Sequence, residues 1–523
     1  MKDTAAAPPS SMGALPSSSR SSPGLPGPPV VPDLPAGREL PDLPGLLDPG
    51  WVDEILLRGP DAEPCLFFEE PVRRAELRQL VRDRQAELAA AGLRRGGSLA
   101  LCLAPSLALV ANLLAGWRIG AQVALLDHRL TAFETEQALA RLDPQVVVSA
   151  ADPVVGGPAR GFHTQRELVT ARPGRPAAGP HALVQLSSGS TGPSKIIGRT
   201  AADLVAELDR YARLDGVPRA GERMVSLAST VHVLGLVGGL LHCLHARVRL
   251  AFPGRVTADG ILATVAAAPE PTTLLGVPFH LELLTWAAAP PRLPQLTGMT
   301  TGGELVRAEV HEAFVDRYGV RLGSMYGMTE VGVIATDLFG AHRPELTPAP
   351  GIRLRAADGE LLIAREHSPY LDLGAPPTAA GPARWADGWL RTKDSGAVDP
   401  RTGRVRVLGR LDSQVSIGGL KVDLTEVEHT LAALPGVSAA VVLLGSSIEA
   451  YFALDEDAGA GGPAGRAARV ARIEAQLAER LAAYKRPRLL HLLDRLPRTA
   501  TGKPVRDRTV LAAARAESRD PAD

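Results

Sequence analysis

Apolar and polar positions along this chain repeat with two periods, and the period switches back and forth between them. Leu77 to Leu93 carries apolar residues at helical spacing, Ser98 to Leu103 reads as a strand, Ser106 to Arg118 as a helix, and Ala121 to Asp127 as a strand again. Thr131 followed by Glu134 is the signature of a capping box, in which a hydroxyl and a carboxylate each accept from the other's backbone, so another helix is expected there. After Pro144 comes the apolar run Gln145 to Ser149. Strand and helix in alternation imply parallel strands joined by right-handed crossovers, and the expected fold class is α/β, with a large N-terminal body of mostly parallel sheets flanked by helices.

The pattern changes at both ends. Residues 1–37 are rich in Pro, Ser and Gly and lack the apolar area needed to offset the entropy of ordering, so a disordered tail is expected. The body is expected over 38–410. Beyond it, Thr425 and Glu428 suggest a second capping box, Ala439 to Leu444 and Glu449 to Leu454 read as strands, and an Ala- and Arg-rich helix runs from Arg466 to Ala483. With a flexible Gly-rich segment, Ala458 to Gly465, inside it, the region 411–515 is expected to be a small mobile α+β domain followed by a tail, 516–523. The apolar run Met224 to Leu241 includes Ser, Thr, Gly and His232 and is followed by His242, His245 and Arg247, so it reads as a buried strand and helix rather than a membrane span.

Composition narrows the function classes a little. With 523 residues, two or more domains are expected. Lys+Arg and Asp+Glu both total 57, so no excess charge points to a nucleic-acid or membrane partner. Cys65, Cys102 and Cys243 are widely spaced and form no ligand pair, and no secretory leader is apparent at the start. A cytoplasmic location is the expectation.

The strongest local signal is Ser187-Ser188-Gly189-Ser190-Thr191-Gly192-Pro193-Ser194-Lys195, directly after the apolar run Ala182 to Leu186. Small residues let backbone N–H groups converge on an anion, hydroxyls add donors and Lys195 adds charge, so the segment suits phosphate. Its glycine-to-lysine spacing is not that of P-loop NTPases.

Further motifs follow in order: Gly302-Gly303-Glu304, Tyr326-Gly327-Met328-Thr329-Glu330, Gly388-Trp389 through Thr392-Lys393-Asp394, Gly409-Arg410-Leu411-Asp412, and Pro497-Arg498-Thr499-Ala500-Thr501-Gly502-Lys503. Over roughly residues 60 to 510 the chain resembles the adenylate-forming superfamily of acyl-CoA synthetases, nonribosomal-peptide adenylation domains and firefly luciferase. The resemblance implies an ATP-dependent carboxylic acid ligase. It would make an acyl- or aryl-adenylate and pass the acyl group to the phosphopantetheine thiol of coenzyme A or of a separate carrier protein, in secondary metabolism. No carrier domain is expected after Lys503.

The same resemblance assigns parts. Ser187, Ser188, Gly189, Ser190, Thr191, Gly192 and Lys195 would follow the ATP phosphates, Thr329 the α-phosphate, and Glu330 a Mg²⁺ ion. Tyr326 and Gly327 would meet the adenine, with Gly302, Gly303 and Glu304 as the facing wall, while Asp394 and Arg410 would hold the ribose. Lys503 would bridge the carboxylate and the α-phosphate. Asp412 would be the hinge that moves the small domain, and Gly418, Gly419 and Lys421 would then line a thiol channel. His232 would gate the acid pocket and take part in catalysis, with Gly235, Val277, Pro278 and Met325 as pocket neighbours. Family members that take α-amino acids commonly place an aspartate as ammonium partner in the segment aligned with Ser226 to Leu241; no Asp or Glu occurs from Met224 to Phe252, so a plain acyl or aryl acid is expected.

The chain departs from the family pattern in four places. Thr191-Gly192-Pro193-Ser194-Lys195 replaces Thr-Gly-x-Pro-Lys, Lys393 stands for a glycine, and Gln414 and Ser416 replace the usual Asp and Lys. Other readings are a nucleotide-binding regulatory protein without turnover, or transfer of the acyl group to an amine.

Overall fold

The structure, a computed structural model, describes residues 49–68, 70–152, 161–177, 179–187, 195–287, 290–371, 384–454, 463–497 and 504–518. The expectations for residues 1–37, for Ser188 to Gly192, for Lys503 and for most of the Gly-rich stretch from Ala458 fall outside them.

Two parallel cores form the body. In the first sheet, Val146–Ala150, Ser98–Cys102, Gln122–Leu125 and His181–Ser187 lie parallel in that order, with Glu167–Ala171 and Lys195–Thr200 antiparallel at the edges. In the second, Arg321–Met328, Leu296–Gly302, Thr272–Gly276, Arg223–Ser226, Arg249–Ala251 and Pro64–Phe67 are parallel, and antiparallel strands extend both ends. The helices sit close to where periodicity places them. Leu107–Ile119 is capped by Ser106, which accepts from Leu109 N, and Trp117 inside it donates its indole N–H to Ala182 O at 2.8 Å, tying the helix to the sheet. The Thr131 and Glu134 capping box forms and opens the helix Ala132–Leu142. Arg223–Ser226 and the π-helical turn Leu234–Leu241 account for the apolar run, and no described helix is long and apolar enough to cross a membrane. The three cysteines are unpaired, and burial pushes the Cys65 and Cys102 thiols up to about 11.

A third sheet was not separable by period. Leu354–Ala357, Glu360–Ala364, Trp389–Val398, Trp385–Ala386 and Val405–Arg410 pair antiparallel, and the two-residue Asp358-Gly359 turn is the hairpin signal that marks it in the sequence.

The smaller C-terminal domain holds the hairpin Gln414–Ile417 and Leu420–Asp423, the helix Leu424–Ala432, and a sheet of Val437–Leu444, Ile448–Leu454 and Leu489–Leu493. Its core gathers Val427, Leu431, Val442, Phe452, Ile473 and Leu477. Two sequence expectations change here. The helix at Thr425 is capped by Asp423, whose carboxylate accepts from Thr425 N at 2.8 Å, while Glu428 turns inward to accept from Val442 N and pair with Arg506. The long helix spans Pro463–Arg480, earlier than expected at both ends. Arg486 donates to the Leu481 and Ala478 carbonyls past its end, and a separate single turn, Ala483–Lys485, follows.

Beneath the hairpin that joins Arg321–Met328 to Gly332–Asp337 lies a fully buried pair. Arg199 Nη1 is 2.6 Å from Glu207 Oε2, and Glu207 Oε1 accepts from Val333 N at 2.9 Å. Gly332 has φ +88°, and a Cβ there would collide with the Glu207 carboxylate. Gly332→Ala is therefore expected to destabilise the protein by about 2–3 kcal/mol, from backbone strain plus overpacking. A thermal midpoint equal to that of the parent chain would contradict this packing.

Candidate active site

Ligands of open α/β sheets gather beyond the carboxyl ends of parallel strands, and the sequence motifs converge there. Leu296–Gly302 delivers Gly302, Gly303 and Glu304; Arg321–Met328 delivers Met325, Tyr326 and Gly327; Thr272–Gly276 leads to Val277 and Pro278 at the start of the helix Pro278–Thr285. Gly302 and Met325 are register partners on neighbouring strands. Leu234 packs with Met325, and a Cβ at Gly302 would meet its side chain, so it joins this wall although motif matching passed over it. At Gly235 the space for a side chain is filled by the Ala228 and Ser229 carbonyls; close backbone approach, rather than the pocket, requires glycine there.

Tyr326 and Asp394 come from different sheets. The Tyr326 hydroxyl donates to Asp394 Oδ2 at 2.5 Å, and burial together with the Asp394 charge pushes that hydroxyl far up, so it remains a donor. Arg410 donates to Asp394 Oδ1 at 3.0 Å and grips Asp412 through Nε at 2.9 Å and Nη2 at 2.7 Å. Burial would raise the Asp412 carboxyl, but hydrogen bonds and charge from Arg410 hold it below the usual range. A carboxylate offers about four acceptor positions, so Asp394 retains room for ribose hydroxyls. Asp412, expected at the hinge, is thus wired directly to the expected sugar site.

Glu330 sits with Thr329 in the turn of the hairpin and is buried. Tyr370 donates its hydroxyl to Glu330 Oε1 at 3.1 Å, and no other described residue binds this carboxylate. No described cluster of three or more His, Cys, Asp or Glu side chains could hold a metal ion by itself. One buried carboxylate nonetheless suits Mg²⁺, which is commonly held by one or two carboxylates plus substrate phosphates. Sequence reading missed Tyr370 because it is brought in by a loop. Leu371 N donates to Ile196 O and Gly198 N to Pro369 O, docking the segment on the strand that begins at Lys195. Burial and the charge of Arg384 bring the Lys195 ammonium down to about 8, with Glu330 and Asp412 opposing them.

His232 is placed differently from a simple gate. Its Nε2 lies 3.3 Å from Asp127 Oδ2 and 3.4 Å from Arg129 Nη2. Burial would raise the Asp127 carboxyl, but hydrogen bonds from His232 and Arg129 hold it well below the usual range. Asp127 and Arg129 follow the carboxyl end of the strand Gln122–Leu125, a position that itself signals a site, yet neither was singled out from the sequence.

The small domain meets the body at this same edge. Gly418 and Gly419, with φ +56° and +83°, make the turn of the hairpin Gln414–Ile417 and Leu420–Asp423. Gly419 N donates to Glu304 Oε1 at 2.9 Å, Lys421 Nζ donates to Gly303 O at 2.7 Å, and a Cβ at Gly419 would strike Val277. Glu304, expected as part of an adenine wall, therefore holds the small-domain loop through its side chain. The structure brings Gly418, Gly419 and Lys421 to Gly302, Gly303, Glu304 and Val277; the phosphate-loop residues Ser188 to Gly192 and Lys503 lie outside the described residues.

These features define an α/β body whose strand ends face a smaller α+β domain. Residues 58–366 match the family model for AMP-binding enzymes, and residues 426–503 match the AMP-binding enzyme C-terminal domain. The chain belongs to the AMP-binding, adenylate-forming enzyme family and is an acid–thiol ligase of that kind. It is 27% identical to indoleacetate–CoA ligase of Aromatoleum aromaticum, across 87% of this chain and 96% of that one. It is 29% identical to benzoate–CoA ligase of Thauera aromatica, across 65% and 67%. The solved o-succinylbenzoate CoA synthetase of Bacillus subtilis, bound to a product analogue, superposes with a TM-score of 0.71 at 21% identity, covering 88% of this chain and 98% of that one, and so shares the fold.

The lowered Lys195 gives a pH signature. A lysine that meets phosphate must be charged, so kcat/KM for ATP is expected to fall as pH rises through about 8. Lys195→Arg, charged throughout that range, is expected to abolish the fall. A pH profile left unmoved by this substitution would remove Lys195 from nucleotide binding.

Proposed function

We propose that this protein activates a carboxylic acid without an α-ammonium group, an aryl or arylalkyl acid, and transfers it to the thiol of coenzyme A. In the first step the carboxylate oxygen attacks the α-phosphorus of ATP, the bond to the bridging oxygen breaks, and pyrophosphate leaves. In the second, the pantetheine sulfur attacks the acyl carbon, AMP leaves with the bonding pair, and the thiol proton is released.

The residues take the following parts in this reading. Asp394 and Arg410 hold the ribose, and Tyr326 shapes the adenine side while fixing Asp394. Gly302 and Gly303 let the nucleotide approach the backbone. Thr329 binds the α-phosphate; Lys195 and the loop Ser187, Ser188, Gly189, Ser190, Thr191 and Gly192 follow the outer phosphates. Glu330 binds Mg²⁺, with Tyr370 orienting its carboxylate. The ion would neutralise charge developing on the phosphate oxygens. Lys503 bridges carboxylate and α-phosphate in the first step, and Asp412 absorbs the rotation between steps.

The observation that carries the two-step reading is the docking of the Gly418–Lys421 loop onto Gly303 and Glu304. A small-domain hairpin pressed against the strand ends by two hydrogen bonds is suited to walling a narrow thiol channel. Substrate class rests on charge. The carboxylate that approaches the wall near His232, Asp127, is already neutralised by the two-point grip of Arg129, so an ammonium would lack a partner. The relatives named for indoleacetate and benzoate support an aryl acid.

Purified protein with ATP, Mg²⁺ and a panel of aryl and alkyl acids is expected to release pyrophosphate and, with coenzyme A added, to yield the thioester. Lys503→Ala is expected to lower acid-dependent ATP–pyrophosphate exchange by about 10²-fold or more, the scale of removing a charge-stabilising donor, while sparing thioester formation from supplied adenylate. Equal loss of both steps would contradict this division. Thioester formation only with a carrier protein would change the acceptor but not the chemistry.

A further inference from the structure

A second contact, away from the thiol channel, also joins the small domain to the body. Lys485 Nζ lies 2.8 Å from Glu134 Oε1 and 2.8 Å from Glu426 Oε1. Lys485 and Glu134 are almost entirely shielded, their side chains 8% and 9% exposed. Glu134 belongs to the body helix Ala132–Leu142, whereas Lys485 and Glu426 both belong to the small domain. The surroundings repeat the pairing across the same seam: Arg129 stands 5.7 Å over the Tyr484 ring, and Arg480 stands 5.9 Å over the Phe133 ring.

Glu134 divides its two oxygens between two tasks. Oε2 accepts from Thr131 N at 2.9 Å and from Thr131 Oγ1 at 3.1 Å, closing the capping box, while Oε1 takes Lys485. The side chain that starts a body helix is therefore fixed in direction before the small domain arrives, and it presents an oriented acceptor at low entropic cost. The body carries both glutamates and the small domain both partners, so a rotation of the small domain about an axis away from Lys485 that lifts Gly419 from Glu304 also parts Lys485 from Glu134. Glu426 travels with Lys485, so the cation keeps one counter-charge in either arrangement. At Lys485 itself the change between arrangements is one charge-assisted contact, not a stranded buried ion.

We propose that Glu134 is a positioning residue for acyl transfer: by binding Lys485 it holds the small domain where the Gly418–Lys421 loop lies against Gly303 and Glu304. This rests on the reading above, in which that arrangement serves the thiol step. Glu134 has no part in making the adenylate, so its loss shifts the balance between half-reactions rather than lowering both.

Glu134→Gln separates its two tasks. Glutamine serves at this position of a capping box, so the helix keeps its start, but the anion facing Lys485 is gone. The full chain is assayed in two ways: acid-dependent ATP–pyrophosphate exchange, and single-turnover thioester formation from supplied acyl-adenylate and coenzyme A. Thioester formation is expected to slow about tenfold, the scale of one partly buried charged contact, with exchange within about twofold of the parent. Glu136→Gln, an exposed charge on the same helix, is expected to change neither. Lys485→Met is a harsher variant, because it leaves two carboxylates facing each other, and its thermal midpoint is read alongside Glu134→Gln. Unchanged thioester formation in Glu134→Gln, or equal loss in both assays, would overturn the proposal while leaving the ligase reading intact if the parent chain performs both steps. A parent chain that performs neither step with any acid would overturn both.

Discussion

One guanidinium ties the site together. Arg410 stands between Asp394, at the expected ribose position, and Asp412, at the expected hinge, and donates to both carboxylates. Two carboxylates converging on one point repel, and the Arg410 guanidinium between them turns that repulsion into a pair of charge-assisted hydrogen bonds. The grouping works only as a unit, and each member comes from a place the fold must supply: Asp394 on a strand of the antiparallel sheet, Arg410 at the end of its neighbour, Asp412 at the start of the small domain. Tyr326 extends the unit to the second parallel sheet. A nucleotide engaging Asp394 would therefore act on the same charge network that holds Asp412, the residue proposed as hinge.

Around that unit the body and the small domain make two kinds of contact. At Gly303 and Glu304 the small domain approaches through backbone and a lysine, where a substituent on Gly419 would be excluded by Val277. At Glu134 it approaches through a paired charge. Beside Glu134 the Tyr484 and Phe133 rings add cation–π contacts with Arg129 and Arg480. Contacts built from a few directed polar groups are stable when aligned and lose little when exposed to water, which would suit the domain rotation proposed above.

Much of the architecture was legible in the sequence because it rests on local rules. Helical spacing placed the helix that begins at Leu107, and the Thr131 and Glu134 pair placed the next one, because caps and periodicity are written in neighbouring residues. The same rule misled at Thr425, where Asp423 was the better cap and Glu428 was needed by Val442 and Arg506. The antiparallel sheet went unseen because its strands differ in length and exposure, although its Asp358-Gly359 turn is a local signal. The site was legible as an ordered set of motifs, but not as a set of contacts. That Tyr326 reaches Asp394, that Tyr370 reaches Glu330, and that the glutamate of a helix cap reaches Lys485 are long-range facts, separated by tens to hundreds of residues and fixed only by packing.

The most direct test is a crystal structure of the protein with a non-hydrolysable acyl-adenylate analogue. The expected result is a ribose whose hydroxyls donate to Asp394 with Arg410 still bridging to Asp412, and an adenine beside Tyr326 and Gly303. Adenosine bound elsewhere, with the Asp394 and Tyr326 hydrogen bond undisturbed and no contact to either residue, would contradict the nucleotide site and everything built on it.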